Sequence, residues 1–402
     1  MFVPELPYSC VDLLHTTCNS VYWLILLDYF GIREFWAILF GGTLIHYIDT
    51  VSAGSFFSQV LFFGAVTAFL LKARKVSSYR FQEVCTNEAS ITINGMRHIV
   101  CSLVCISIFA CDFSIYPLHK YKSKHFGISL MDFGVVVFMF NAGMISAVSH
   151  KFRPKKTLYM GVMGVIRLLV ILSGYHSDPT EYGVHLNFYF VYAAAENISL
   201  LFRGIQPLFG ALLILGGHEL LINQRGFADF VFFSGRKTFL TANREGLLSI
   251  MPYTGVLLLG KSVGKILFTP KETGRRKFLR LSLFYGLLHA GYFVFSQFSS
   301  PSRRLCSFSF IAFSCSAIVL PMCLLFGVSC FYRIENIEFL SGLSRLMNPL
   351  FLLANLYVLL GNVLFDWAAF STGQAHLCNA VYLLLLFGVP VHAYRKGILR
   401  VK

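Results

Sequence analysis

Apolar runs of about 20 residues, recurring along the chain with almost no charge inside them, constrain what this sequence can fold into more than any other feature. A helical run of that length matches the hydrocarbon thickness of a bilayer, and residues 92–111, 307–330 and 377–394 are clear examples. The runs are continuous rather than alternating, so they do not read as the strands of an outer-membrane barrel. Over 402 residues the chain is 56% hydrophobic and 13% charged, and a water-soluble domain with so few charges would leave much of its surface apolar. That composition excludes an ordinary soluble enzyme, a disordered chain, a collagen-like fibre and a secreted disulfide scaffold. The expected fold class is all-α, a polytopic integral membrane protein with about 13 transmembrane helices. They lie near residues 13–30, 36–49, 54–71, 92–111, 128–149, 157–174, 187–202, 206–222, 246–263, 281–297, 307–330, 346–365 and 377–394. No internal repeat or soluble insert interrupts the pattern, so residues 1–402 are expected to form a single transmembrane domain.

The 34 Lys and Arg outnumber 19 Asp and Glu, a formal charge of +15. In a soluble protein such an excess would suggest nucleic acid. Here the basic residues sit in short clusters between apolar runs, as the positive-inside rule requires, and face anionic lipid headgroups. No polar segment combines basic and aromatic residues, so no nucleic-acid partner is expected. Four clusters (Lys72 to Arg80, Lys151 to Lys156, Lys261 to Arg280, Arg395 to Lys402) fall on one side with these spans. That side is read as cytoplasmic, which puts the N-terminus and residues 112–127, 175–186, 223–245 and 298–306 on the other. Met1 to Tyr8 carries no Lys or Arg, so it lacks the basic region of a cleaved signal peptide. The 11 cysteines show no C-x-x-C spacing and read as small buried apolar residues rather than metal ligands or a disulfide frame. Asn197-Ile-Ser199 is a formal glycosylation sequon, but it ends a span that approaches the basic side and is expected to stay unused.

Polar residues concentrate at the non-basic boundary. Asp112 ends an apolar run, Pro117 stops any helix five residues later, Lys120, Lys122 and Lys124 follow at alternate positions, and Asp132 opens the next span. One reading is an interfacial carboxylate with snorkelling lysines. The other is a carboxylate with a raised pKa that takes a proton, beside a lysine that stabilises developing negative charge. Arg167 lies in an otherwise apolar helix and is followed by His176, Glu181, Tyr182, His185 and Asn187 within a short stretch. Such residues at a membrane boundary need partners or a substrate. No H-e-x-x-h or other metal spacing is present, so no zinc site is expected. Asn243 and Glu245 read first as a helix cap with an acidic first turn. Asn355 and Asn362, seven apart, share one helix face, as interhelical glue or as headgroup ligands.

At these residues the sequence resembles the inositol acyltransferases of GPI-anchor biosynthesis, namely the fungal GPI-anchored wall protein transfer enzymes and the animal PIG-W enzymes. The resemblance rests on Arg97 fifteen residues before Asp112-Phe113, on Gly127-x-Ser-Leu-Met-Asp132-x-Gly134 and on Glu181-Tyr-Gly-Val-His185-x-Asn187-Phe188. It continues through Asn243-Arg-Glu245-Gly246-x-x-Ser249, Ser302-Arg303-Arg304 and the Asn355/Asn362 stretch. It covers a core of about 91–365, after weakly matched helices in 1–75 and before a C-terminal helix and basic tail in 366–402. Where the family usually has two arginines after the proline, this chain has Leu118-His119. Leu186 replaces a usual Trp, and Ser307 stands where an Asn is expected.

The resemblance implies transfer of a long acyl chain, typically palmitoyl from acyl-CoA as co-substrate, to the inositol 2-hydroxyl of glucosaminyl-phosphatidylinositol. It implies a multi-pass protein of the endoplasmic reticulum membrane with a luminal N-terminus and a cytoplasmic C-terminus. Apart from these two substrates and membrane lipids, no cofactor and no obligate protein partner is expected. Asp112 is the expected base and Lys122 its supporting cation. Substrate binding is expected at Arg97, Asp132, Arg167, His176, Glu181, His185, Asn187, Asn243, Glu245, Arg303, Arg304, Asn355 and Asn362. His98, His176 and His185 are alternative bases. Rival readings are a secondary transporter using Asp132, Arg167 and Glu196 as intramembrane charges, and a histidine-type membrane-bound O-acyltransferase.

Overall fold

A computed structural model describes residues 10–30, 35–52, 56–73, 87–147, 154–174, 178–332 and 337–397, and among them there is no strand. The first helices are α1 (Cys10–Tyr29), α2 (Phe35–Val51), α3 (Phe56–Ala73), α4 (Asn87–Ala110), α5 (Gly134–Ser146) and α6 (Pro154–Leu172). There follow α7 (Phe188–Ile198), α8 (Pro207–Ile222), the short α9 (Phe227–Phe233) and α10 (Phe239–Ala242), then α11 (Arg244–Phe268) and α12 (Gly274–Ser296). The chain ends with α13 (Phe308–Tyr332), α14 (Ile337–Leu364), α15 (Thr372–Leu383) and, after a π-helical turn, α16 (Val389–Arg395). Each apolar stretch picked out by length coincides with one of these helices. Helices α12 and α14 begin ahead of their expected spans, at Gly274 and Ile337, while residues 128–133, expected in a helix, are loop: Asp132 is drawn out of the helix by hydrogen bonds from Ser123 and Ser129.

Among the described residues, five helices are long and apolar enough to cross a membrane, within Ala89–Ala110, Arg244–Phe268, Gly274–Ser296, Phe308–Cys330 and Thr372–Tyr394. Shorter apolar helices include Gly134–Ser146, Phe188–Phe202 and Pro207–Ile222. The helices start where the chemistry allows. Gln206 accepts from the Phe209 N–H at 3.0 Å and Pro207 takes the first helical position, where a missing N–H costs nothing. Ser371 and Gln374 form a capping box ahead of α15.

Helix α11 is the inner post, packed on α5, α7 and α8. Its approach to α5 is set by glycine: a Cβ on Gly260 would stand 2.1 Å from the Phe140 carbonyl oxygen, and one on Gly143 would stand 2.0 Å from that of Leu257. Where apolar solvent removes the hydrophobic drive between helices, such small residues let backbones meet. A second core joins α4, α14 and α15 through Cys105, Ile106, Leu350 and Tyr382. By contrast α12 leaves Leu279, Leu283 and Leu287 exposed on its outer face.

The loops sort to two ends. Residues 111–133, 178–187, 223–243 and 297–307 meet at one end: Gly127 N–H donates to the Pro301 carbonyl at 2.8 Å, and Val184 N–H to that of Ala242 at 3.1 Å. At the opposite end Lys156 pairs with Glu196 at 2.8 Å, and Lys277 donates to the Leu267 carbonyl at 2.9 Å. Arg74, Lys75, Arg80, Lys151, Arg153, Arg400 and Lys402, which belong to the basic clusters, lie outside the described residues. Cys18, Cys101, Cys105, Cys111, Cys306, Cys315, Cys323, Cys330 and Cys378 are free thiols.

Candidate active site

The loop end holds a linked set of charged side chains, built outward from the end of α4. Asp112 follows that helix directly, on a turn in which Phe113 N–H donates to the Ala110 carbonyl. Phe113 is buried against Trp367, with ring centres 4.9 Å apart, and Trp367 donates to Asn362 Oδ1 at 2.7 Å. The end of α14 is thereby locked beside Asp112. Burial pushes the Asp112 carboxyl above the usual carboxylate range, while Asn362 and Cys111 act in the opposite sense. Its Oδ2 is buried and accepts no hydrogen bond among the described residues.

After Pro117 the chain makes a short 3-10 turn, Leu118–Lys120, and returns. The Tyr121 hydroxyl closes the loop by donating to the Cys111 carbonyl at 2.6 Å, which brings Lys122 back beside Cys111. The ammonium, however, donates to Glu181 Oε1. The loop closes as the turn at Pro117 requires, and Lys122 pairs with the ionised carboxylate that α7's leading loop presents. Lys120 turns the other way, buried, and donates to the backbone carbonyls of Asp49 and Ser52, the latter at 3.0 Å. Lys124 keeps an exposed side chain.

Glu181 is held ionised by its surroundings. Burial alone would raise its pKa, but Lys122 and Arg303 outweigh that and bring it below the usual range. Arg303 in turn donates through Nε to Asp132 Oδ1 at 2.7 Å, with both side chains buried. Asp132 also accepts from Ser123 N–H at 3.1 Å, Ser129 N–H at 3.2 Å and the Ser129 hydroxyl at 2.9 Å. A carboxylate with this many donors and an arginine fixes both loops to one another.

Beside this chain lies a second buried acid. Glu245 accepts from Arg236 at 2.6 and 3.0 Å and from Arg304 at 3.0 Å, and Arg244 stands 3.7 Å away. Asn243 does not cap α11 with its side chain. Instead Oδ1 accepts from the His185 and Leu186 N–H groups at 2.8 and 3.1 Å, and Nδ2 meets His185 Nδ1 at 3.1 Å. Gly183, at φ +102°, permits this joint, since a Cβ there would lie 2.4 Å from Asn243 Cα. Asn187 caps α7 and donates to the Gly164 carbonyl at 2.9 Å, which ties α7 to α6.

The expected site residues thus divide. Asp112, Lys122, Glu181, Asn362, Arg303 and Asp132 belong to one continuous set. Asn187, Asn243 and Glu245 have their polar atoms engaged within the protein, and Arg304 is engaged through its two terminal nitrogens while its buried Nε meets no partner among the described residues. His185 is exposed and stacked on Phe239 at 5.8 Å, while His98 is buried within α4. Arg97 sits half-buried within α4, away from the loop end, Arg167 sits half-buried within α6 near Tyr189 at the start of α7, and Asn355 is exposed on α14 with its amide returned to Phe351. His176 lies outside the described residues. Sequence reading did not single out Tyr121, Arg236 or Trp367. Arg236 alone carried a signal, as a cation nine residues before an acid.

A mainly apolar cavity of about 700 Å³ runs from Phe227 and Leu240 at the loop end past Arg244 and Met251 toward Phe202, between α8 and α11. Arg244 closes one wall, its guanidinium donating to the Val231 and Ser234 carbonyls at 2.7 Å each.

Comparison with known proteins gives this arrangement a setting. A sequence profile of the GWT1 family matches residues 11–393. The chain is similar to the GPI-anchored wall transfer protein 1 of Kluyveromyces lactis, with 31% identity over 261 residues, covering 58% of this chain and 57% of the relative. The Yarrowia lipolytica protein of the same name is 26% identical over 343 residues, 74% of this chain and 70% of the relative. The Gibberella zeae protein of that name is 28% identical over 283 residues, 58% of this chain and 56% of the relative. The chain spans little more than half the length of the first of these.

Proposed function

The chain belongs to the GWT1 family, and from that premise we propose that it is an O-acyltransferase of GPI-anchor biosynthesis. It moves a long acyl group, typically palmitoyl, from acyl-CoA to the inositol 2-hydroxyl of glucosaminyl-phosphatidylinositol. It does so in the endoplasmic reticulum membrane, with the loop end luminal, about thirteen crossings, a luminal N-terminus and a cytoplasmic C-terminus. Residues 1–402 act as one transmembrane domain.

The observation that carries the reading is Asp112. A half-buried carboxyl with an open Oδ2 and a raised pKa, on a turn that also carries a lysine, is suited to accept a proton. In the proposed reaction Asp112 takes the proton of the inositol 2-hydroxyl as that oxygen attacks the thioester carbonyl. The ammonium of Lys122 faces the oxyanion of the tetrahedral intermediate. Collapse breaks the carbon–sulfur bond, and the proton held by Asp112 passes to the departing CoA thiolate. The apolar cavity between α8 and α11 falls within the usual size range for ligand pockets and suits an acyl tail. Arg303, Asp132, Asn243, Glu245 and Arg304 hold the loops around the acceptor.

A transporter is less well supported, because Asp132 and Glu196 each have an ion-pair partner, Arg303 and Lys156. The test is transfer of labelled palmitoyl from its CoA thioester to glucosaminyl-phosphatidylinositol by the purified chain in detergent. Without a membrane there is no gradient, so product formation identifies an enzyme, and its absence with a folded protein contradicts the reading.

A further inference from the structure

The Lys122–Glu181 pair has a feature that a purely structural ion pair does not need. Both partners stay accessible, with side-chain exposures of 39% and 30%, whereas two other acids of the loop end are closed off, and the exposed Asp178 and Asp229 hold no lysine ammonium in an ion pair among the described residues. Asp132 and Glu245 are 0% and 1% exposed and are saturated by donors. Among the described residues, Glu181 is thus the loop-end carboxylate that already holds a primary ammonium and remains reachable. Its charge does not depend on that ammonium alone, because Arg303 also faces it, with Asp178 the nearby acid acting against both.

We propose that Glu181 is the receptor for a primary ammonium on the acceptor lipid, the amino group of its sugar, and that Lys122 occupies this place as an internal stand-in until the acceptor arrives. The inference rests on the acceptor assigned above and deepens it. An amino sugar offers the same chemistry that Lys122 offers, a compact ammonium with three donors, and an amine of ordinary basicity is largely protonated at neutral pH. An incoming ammonium replaces Lys122 one for one, so Glu181 is never left as an unpaired charge. The four-carbon stem of lysine is flexible, and its loop is hinged at the Tyr121–Cys111 hydrogen bond. Once displaced, Lys122 has an open acceptor on the same loop in Asp112 Oδ2. Acceptor binding would then assemble the base and its cation together. N-acetylation of the sugar removes the charge, and such a lipid could not make the exchange.

The test is binding of glucosaminyl-phosphatidylinositol and of its N-acetylated form to the full chain in nanodiscs, with no acyl-CoA present. Wild type is expected to prefer the amino lipid by about tenfold or more, the scale of a charge-assisted hydrogen bond. Glu181→Gln should abolish that preference and Glu181→Asp should keep part of it. Lys122→Met removes the internal competitor and should tighten the amino lipid by about threefold, the scale of an accessible ion pair, without tightening the N-acetylated one. Should Glu181→Gln fail to fold, Lys122→Met alone decides, since its side chain is accessible. A preference absent in wild type, surviving Glu181→Gln, or unchanged in Lys122→Met overturns the exchange. Because the measurement involves no transfer, its failure leaves acyl transfer standing, and failed transfer by wild type would be seen separately.

Discussion

The ammonium of Lys122 rests on Glu181 and not on Asp112, although the Tyr121 hydroxyl returns the lysine's loop to the Cys111 carbonyl at 2.6 Å. Asp112 and Lys122 therefore share one loop, while the ion-pair partner of the lysine comes from another. Asp112 is left with an unsatisfied oxygen, and Lys122 is left on a neighbour that a substrate group can take over.

Asp132 and Arg303 should behave as scaffold. Both are buried and meet at 2.7 Å, and breaking a buried pair by removing one partner costs about 3–5 kcal/mol. Asp132→Asn is expected to lower the melting temperature in detergent and to lose activity with it, whereas Asp112→Asn should leave melting close to wild type. A stable Asp132→Asn protein would show that the serine donors alone hold the loop.

The pH profile should report Asp112. A base must be ionised to accept a proton, so transfer is lost as pH falls through the Asp112 pKa and recovers above it. Burial raises that pKa and Asn362 opposes the rise. Asn362→Ala should therefore move the acid limb to higher pH. A limb that stays in place, or moves lower, contradicts this role for Asn362.

Gly183 should tolerate no side chain. At φ +102°, with Asn243 Cα 2.4 Å from where a Cβ would stand, Gly183→Ala combines backbone strain of about 1–3 kcal/mol with a clash against backbone. Loss of activity and of thermal stability is expected, with Gly204→Ala as control, since nothing lies within 4 Å of its Cβ position. Equal tolerance at both positions would mean that the Gly183–Asn243 joint is not needed.

Topology can be read with single cysteines in a cysteine-depleted chain. Ser123 is the wrong probe, because it is buried and its N–H is bound to Asp132. Leu118, which is 85% exposed, and Phe239, at 59%, are the better positions. An impermeant thiol reagent should label both from the lumen and a cysteine at Arg275 from the cytoplasm. Labelling of all three from one side would overturn the assignment of ends.

Much of the scaffold was legible because its signal is one-dimensional. An apolar run long enough to cross a bilayer must be helical there, and the helices fall on the runs. Asp112, Lys122 and Glu181 were legible as types at a boundary, and the turn at Pro117 was legible from proline alone. The pairing was not. Lys122 and Glu181 are 59 residues apart, and Asp132 and Arg303 are 171 apart, so only the packed helices decide which acid meets which base. Asn243 reads locally as a helix cap, yet its amide serves a loop that arrives from before α7. Trp367 had no local signal at all, since its importance comes from meeting Phe113, which follows α4 far away in sequence.

Whether Asp112 is the base is read most directly from acyl transfer by Asp112→Asn beside His98→Ala and His185→Ala, each checked for folding. The account predicts a loss of at least about 100-fold for Asp112→Asn, the scale of a positioned acid or base, with measurable transfer in both histidine variants. Near-wild-type transfer by folded Asp112→Asn, together with an inactive but folded histidine variant, would contradict it and make that histidine the base.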